Sequence, residues 1–165
     1  SRHSLLQQVL GEDCPFEVIM LAFHLMHQNA RLSVFPTTTK ENIGTLIMFA
    51  VRSIFSDTAY LSSKLKELSG NGSLPKSYNE IAIFREILIK KGGAESIIDA
   101  AYRYARHEPG ANVVLLGTGN LNHLETNINS ILSIPLKVSA LEIVGRDFSH
   151  LEGVGLDLPR GYREK

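Results

Sequence analysis

Short apolar runs alternate with segments of helical periodicity along the chain. Nearly continuous hydrophobic runs at residues 16–22, 45–50 and 112–116 are typical of strands in a parallel sheet that is covered on both faces. Apolar side chains at helical spacing predict helices at residues 4–10, 60–68, 78–90, 95–107 and 121–132. The polar segment 29–41 is also predicted to be helical, with Pro36 near a kink or an end.

This alternation predicts an α/β fold built from parallel β/α units. We expect strands at 18–21, 45–48 and 113–115 to lie side by side in that order, with helices on one face. Something should cover the two exposed edges of so small a sheet. The 165 residues, 44% of them hydrophobic, suffice for one domain. We divide it into β/α units at 1–134 and a tail at 135–165 that docks a helix and then follows the surface.

Charge and cysteine content narrow the functional classes. The formal net charge is zero, so no basic surplus favours nucleic-acid binding. Cys14 is the only cysteine, which excludes a disulfide framework and fits a cytoplasmic location. The most apolar stretch, 18–26, is too short to span a bilayer, and the first residues lack a signal-peptide core. We therefore expect no nucleic-acid and no membrane partner.

The turn after the third predicted strand has candidate anion-binding chemistry. Gly117 and Gly119 let the backbone approach a negative group, and amides at the following helix start are expected to point outward unpaired. Thr118 offers a hydroxyl, and Asn120 is a good helix cap. Taken alone, the segment is more typical of an ordinary tight turn between a strand and a helix.

Around this turn the sequence resembles the aldo/keto reductases. Residues 100–132 (AAYRYARHEPGANVVLLGTGNLNHLETNINSIL) resemble the last β/α unit of that family. Residues 17–30 (EVIMLAFHLMHQNA) and 44–50 (GTLIMFA) resemble its sixth and seventh strands. The resemblance runs in order from residue 4 to about residue 132. It implies the carboxy-terminal portion of a TIM (β/α)₈ barrel.

The resemblance also implies a missing amino-terminal barrel half. A complete barrel of this kind has roughly 250 residues. The catalytic Asp, Tyr, Lys and His of the family lie on early strands, so no catalytic residue is assigned in this chain. Either the chain is a fragment of a longer protein or it is a truncated product that needs a partner.

By the same resemblance, the chain binds NADP or NAD in an oxidoreductase that acts on a small carbonyl or alcohol. Phe49 aligns with the aromatic ring that stacks on nicotinamide, and Arg52 lies in the loop that reaches the pyrophosphate. Taken alone, such a ring is more typical of a core residue, and such an arginine is compatible with a solvated loop. The residues at the cofactor positions of the family are Phe49, Ala50, Val51, Arg52, Gly117, Thr118, Gly119, Asn120, His123 and Asn127.

Several positions depart from the family pattern. His123 and Asn127, on one helix face, match positions that contact the 2′-phosphate or the adenine, but NADPH-specific members often have Arg where His123 stands. Histidine as a residue type is mostly neutral near pH 7 and binds a phosphate dianion less strongly than arginine. Gly117 replaces a frequent Lys, Thr126 a usual Glu, and Met20 a Gln that holds the nicotinamide amide. The preference between NADP and NAD is therefore open, and the alternative is a non-catalytic binding or scaffold protein with a degenerate cofactor pocket.

Two other groups of residues are assigned structural roles. His24 and His27 invite a metal interpretation, but no carboxylate or cysteine is spaced to complete a ligand set. We expect ordinary loop histidines with satisfied hydrogen bonds and no metal. Tyr102 and Tyr104 lie on an amphipathic helix and are predicted to be packing residues.

Overall fold

The sheet forms where the hydrophobic runs predict it. The computed structural model describes residues 2–10 and 14–156. Strands β1 (Val18–Ala22), β2 (Gly44–Met48) and β3 (Val113–Val114) pair in parallel in the order β1–β2–β3. This order and direction confirm the prediction.

The helices follow the predicted alternation. Pro36 lies in the first turn of its helix, where its missing N–H removes no helical hydrogen bond. None of the described helices is long and apolar enough to cross a membrane. The helices are α1 (Arg2–Val9), α2 (Ala30–Ser33), α3 (Phe35–Lys40), α4 (Ser53–Ser56), α5 (Thr58–Gly70), a 3₁₀ helix (Lys76–Asn79), α6 (Ile81–Arg85), a π-helix (Glu86–Lys91), α7 (Ile97–Arg106), α8 (Leu121–Leu132) and α9 (Val138–Phe148).

The prediction of one continuous helix at 78–90 was wrong. Glu80 adopts an extended backbone, with φ −117° and ψ 133°, and separates the 3₁₀ helix from α6. After α6 the hydrogen-bond pattern changes to that of a π-helix, in which an amide donates to the carbonyl five residues earlier. The Gly92 amide, for example, donates to the Ile87 carbonyl at 2.9 Å. Apolar periodicity indicates which side is buried, but it does not distinguish these hydrogen-bond patterns.

The two faces of the sheet differ in burial, and the expectation that both would be covered was wrong for the described residues. Ile19, Leu21 and Ile47 project to the buried face, which packs against the helices. On the opposite face Val18 is 53% exposed, Met20 50% and Val113 47%. An apolar sheet face is therefore open to solvent.

The part of the tail that the structure describes docks into the core. In α9, Ala140, Val144 and Phe148 are fully buried. The connection into α9 is held by the buried Arg103, which donates to the carbonyls of Ile134 (2.8 Å) and Pro135 (3.1 Å). The predicted helix of the tail is confirmed, whereas the last part of the tail, expected to follow the surface, lies from residue 157 onwards outside the described residues.

Candidate functional site

The segments predicted to bind the cofactor leave the sheet at one edge. Ile47 of β2 is in register with Val114 of β3, and the Leu115 amide donates to the Ile47 carbonyl at 2.9 Å. Because the carboxyl ends of parallel strands meet at the same edge, residues 49–52 and 117–120 emerge on the same side of the sheet. In (β/α) barrels this edge carries the functional loops.

Phe49 has an unusual backbone conformation at the end of β2. Its φ is 67°, in the left-handed region that bulky side chains rarely adopt. The next residue, Ala50, is fully buried, and Val51 packs against the core. These two contacts hold the chain in the turn, and the Phe49 ring remains half-buried.

The Arg52 guanidinium stacks on that ring. Its central carbon lies 4.1 Å from the centroid of Phe49, well inside the range of a cation–π interaction. No described residue accepts a hydrogen bond from the guanidinium. A stacked guanidinium directs its N–H groups outward in its own plane, so these donors are available to an anion.

The glycine turn at 117–120 is open to solvent, and all four residues are exposed. A Cβ atom built on Gly117 or Gly119 would meet no atom within 4 Å. No described residue accepts a hydrogen bond from the Gly119 amide. A ligand group can therefore approach the backbone here without displacing protein atoms.

Asn120 caps α8, as predicted, but this cap contradicts the expectation of unpaired amides at the helix start. Its Oδ1 accepts from the amides of Asn122 (2.9 Å) and His123 (3.3 Å). The amide of Asn120 itself donates to Thr118 Oγ1 at 3.2 Å. These three amides are already satisfied, so an anion at this turn depends on Gly119 and on a cation nearby.

His123 and Asn127 lie one turn apart on α8, as their spacing predicts. His123 is exposed, whereas Asn127 is half-buried. Met20 lies on the open sheet face, in register with Leu46 of β2. This position leaves a thioether, a weak acceptor, where the family commonly has an amide.

The expectation that His24 is a loop histidine with satisfied hydrogen bonds was wrong for its Nε2 atom. The ring is fully buried, and Nδ1 accepts from the Met26 amide at 3.2 Å. In the neutral ring the proton is therefore on Nε2, which has no hydrogen-bond partner. Burial, followed by the positive charges of His27 and Arg52, lowers the pKa of His24 to about 3.

This buried ring predicts a loss of stability in acid. An unfolded His24 takes up a proton near pH 6.5, whereas the folded one, with its pKa lowered to about 3, does not. The contribution is complete above pH 6.5 and falls by about 1.4 kcal/mol per pH unit as the pH drops towards 3. Denaturant unfolding at several pH values should give a shallower acid slope for His24→Asn than for the wild type.

The matched control is His150→Asn, a substitution at an exposed site. His150→Asn should keep the acid slope of the wild type. If His24→Asn keeps that slope as well, burial of His24 does not set the pH dependence of stability.

A cleft of about 730 Å³ lies at the opposite end of the strands. It is lined by α3, α7 and the turn that precedes β3. Its charged groups are paired internally: Arg31 forms an ion pair with Glu108 and donates to the Tyr104 hydroxyl at 2.9 Å. Because these charges already have partners, we assign the cleft a structural role despite its volume. The sequence did not predict the ion pair, whose members are far apart along the chain.

A parallel β/α sheet with a glycine turn and an aromatic ring at its carboxyl edge is typical of the functional end of a (β/α) barrel. The model of the Aldo/keto reductase family matches residues 2–144, and the chain belongs to this family. The TIM barrel of the family is compatible with the three-stranded parallel sheet. Its members are generally oxidoreductases. A search among curated proteins gave no match.

Proposed function

We propose that the chain forms the cofactor-binding part of an NAD(P)H-dependent oxidoreductase that interconverts small carbonyl compounds and alcohols. One observation supports this most strongly: an exposed glycine turn leaves the same sheet edge as a half-buried ring on which an arginine is stacked. This edge offers a cation, a flat apolar surface and open backbone, which suit a dinucleotide with a pyrophosphate and an aromatic base.

Different residues are proposed to bind different parts of the cofactor. Arg52 and the Gly119 amide bind the pyrophosphate, because the guanidinium and this amide donate to no residue in the part of the chain that the structure describes. Phe49 presents for the nicotinamide the ring face that Arg52 does not cover, and Ala50 and Val51 anchor the turn that carries it. Gly117, Thr118 and Asn120 shape the turn, and His123 and Asn127 lie along α8 for the adenosine end. When bound, the cofactor supplies or accepts a hydride; the residues of this chain bind and orient it.

We propose that an amino-terminal barrel half supplies the catalytic Asp, Tyr, Lys and His. The half-exposed Val18, Met20 and Val113 support this proposal, because a closed barrel would cover their face of the sheet. The unpaired edge of β1 among the described strands also requires a neighbour. We place the assembled enzyme in the cytoplasm, in keeping with the single thiol.

Two observations favour the alternative, a non-catalytic binding or scaffold protein. The side chain of Asn120 occupies two amides at the helix start, and Met20 offers no strong polar anchor for the nicotinamide amide. Such a protein would bind a dinucleotide weakly and would not turn it over. The choice between the functions therefore depends on turnover as well as on binding.

The pyrophosphate assignment predicts that Gly119→Asp weakens binding of NADPH by about tenfold, because a carboxylate in the turn repels phosphate. Fluorescence titration of a polypeptide that contains both barrel halves provides the measurement. Gly119→Ala is the steric control, since its methyl group meets open space. Gly72→Asp, in the loop after α5, is the charge control. Equal affinity of Gly119→Asp and the wild type would contradict the assignment.

The same preparation tests catalysis. Nicotinamide absorbance is followed with a panel of aldehydes, for residues 1–165 alone and for the polypeptide with both halves. We expect turnover only with both halves, because proton transfer by the catalytic residues contributes ~10²–10⁴-fold in rate. Robust turnover by the short chain would contradict the absence of catalytic residues from it. Binding without turnover in the complete barrel would favour the scaffold function.

A further inference from the structure

We infer that Arg52, by stacking on Phe49, makes the site bind a reduced nicotinamide in preference to an oxidised one. This inference rests on the proposed function, since it concerns the ring to which the nicotinamide is assigned. The observation that carries it is the 4.1 Å separation between the guanidinium carbon and the Phe49 centroid. One face of the ring is thus covered by a full positive charge, and a second flat group has only the other face.

The charge of the ligand then decides its affinity. An oxidised nicotinamide ring is a cation, whereas a reduced one is neutral. The face of an aromatic ring attracts cations through its quadrupole. With Arg52 already on one face, a second cation at the other face gains this attraction but is repelled by the guanidinium. A neutral ring keeps its stacking and dispersion contacts and experiences no such repulsion.

The local structure holds Arg52 in place. The Arg52 carbonyl precedes α4 and accepts from the amides of Phe55 (2.9 Å) and Ser56 (3.1 Å) within that helix. Ile54 is fully buried and Phe55 is 4% exposed, which anchors α4 to the core. On the other side, the buried Ala50 fixes the turn that carries Phe49. Packing therefore fixes the backbone of Phe49 as well as that of Arg52.

The Arg52 charge also acts beyond the ring. It is one of the charges that lower the pKa of the buried His24, after burial itself and His27. The guanidinium charge therefore acts on the buried His24 ring as well as on Phe49. Its donors lie in its own plane and bind the pyrophosphate equally in both redox states. This second role changes the two affinities together and leaves their ratio unchanged.

The test is the ratio of the dissociation constants for NADP⁺ and NADPH, measured by titration of a polypeptide with both barrel halves. We expect the wild type to bind NADPH about tenfold more tightly. Arg52→Met should bring the ratio close to one and weaken both ligands through the lost pyrophosphate contact. Arg52→Lys keeps the charge but loses the flat stack, and it should give an intermediate ratio. Gly119→Asp is the matched control, which weakens both ligands and leaves the ratio unchanged.

The outcomes separate this inference from the proposed function. If neither dinucleotide binds to the wild type, the proposed function fails. If both bind, and Arg52→Met weakens them by the same factor, the proposed function stands and the role of Arg52 in redox selectivity is overturned. A wild type that binds the oxidised form as tightly as the reduced form overturns it as well. Unfolding midpoints of the two Arg52 variants, measured in parallel, verify that both are folded.

Discussion

Gly110→Ala should lower the free energy of unfolding by about 2–5 kcal/mol, as the sum of backbone strain and overpacking. Gly110 has φ 93°, in a region unfavourable for alanine. A Cβ atom there would lie 2.6 Å from Phe35 Cβ and 2.8 Å from Phe35 Cγ. Phe35 is 3% exposed and packs edge-on against Phe23, and the atoms approached are its Cβ and Cγ, which move only with the backbone of α3. Urea denaturation measures the loss.

Gly72→Ala separates the two contributions to this loss. Gly72 also has a positive φ, 81°, but an added Cβ would meet nothing within 4 Å. We expect it to cost only the backbone strain, about 1 kcal/mol. If both substitutions lower the free energy of unfolding by the same amount, the close approach to Phe35 does not contribute to the loss caused by Gly110→Ala.

Arg103→Met should cost about 3–5 kcal/mol, because it breaks a buried ion pair and leaves its partners unsatisfied. Arg103 is 5% exposed and pairs with Asp99, 6% exposed, at 3.0 Å. It also donates to the carbonyls of Gly93, Ile134 and Pro135. Methionine fills similar space but donates to none of them. Thermal and urea unfolding should both report the loss.

Lys90→Met is the matched control for Arg103→Met. Lys90 pairs with Glu86 at the same i,i+4 spacing, and both side chains are solvent-exposed. Exposed pairs contribute little to stability, so the unfolding midpoint should stay within experimental error. A loss as large as that of Arg103→Met would show that burial is not what gives the Asp99–Arg103 pair its effect.

The sheet could be predicted from the sequence because the patterns that define its strands lie within short stretches of the chain. Each of the three strands is an apolar run bounded by turns, and helical segments between them require parallel crossovers. The family resemblance extended this to the barrel and to the candidate cofactor segments. The identity of the strands, their order and their direction therefore followed from short stretches of chain.

The details of the site could not be predicted in the same way. The left-handed backbone of Phe49 depends on the burial of Ala50, and nothing in the local sequence favours a positive φ at a phenylalanine. Asn120 was correctly predicted as a cap, yet a capping side chain necessarily occupies amides that were also expected to be free. The neutral, half-satisfied His24 results from tertiary burial near Phe55. Each feature depends on contacts outside its own segment.

The anchoring by Arg103 has a consequence for the entropy of ligand binding. Arg103 fixes the chain immediately after α8, and Ser130 in the last turn of α8 is buried, whereas residues 121–123 in its first turn are all exposed. Local stability decreases with decreasing burial, so positional fluctuations should increase along α8 towards its amino end and the glycine turn. A ligand that orders this end loses part of its interaction energy to conformational entropy. Reduced fluctuation at the turn would therefore increase affinity without a single new contact.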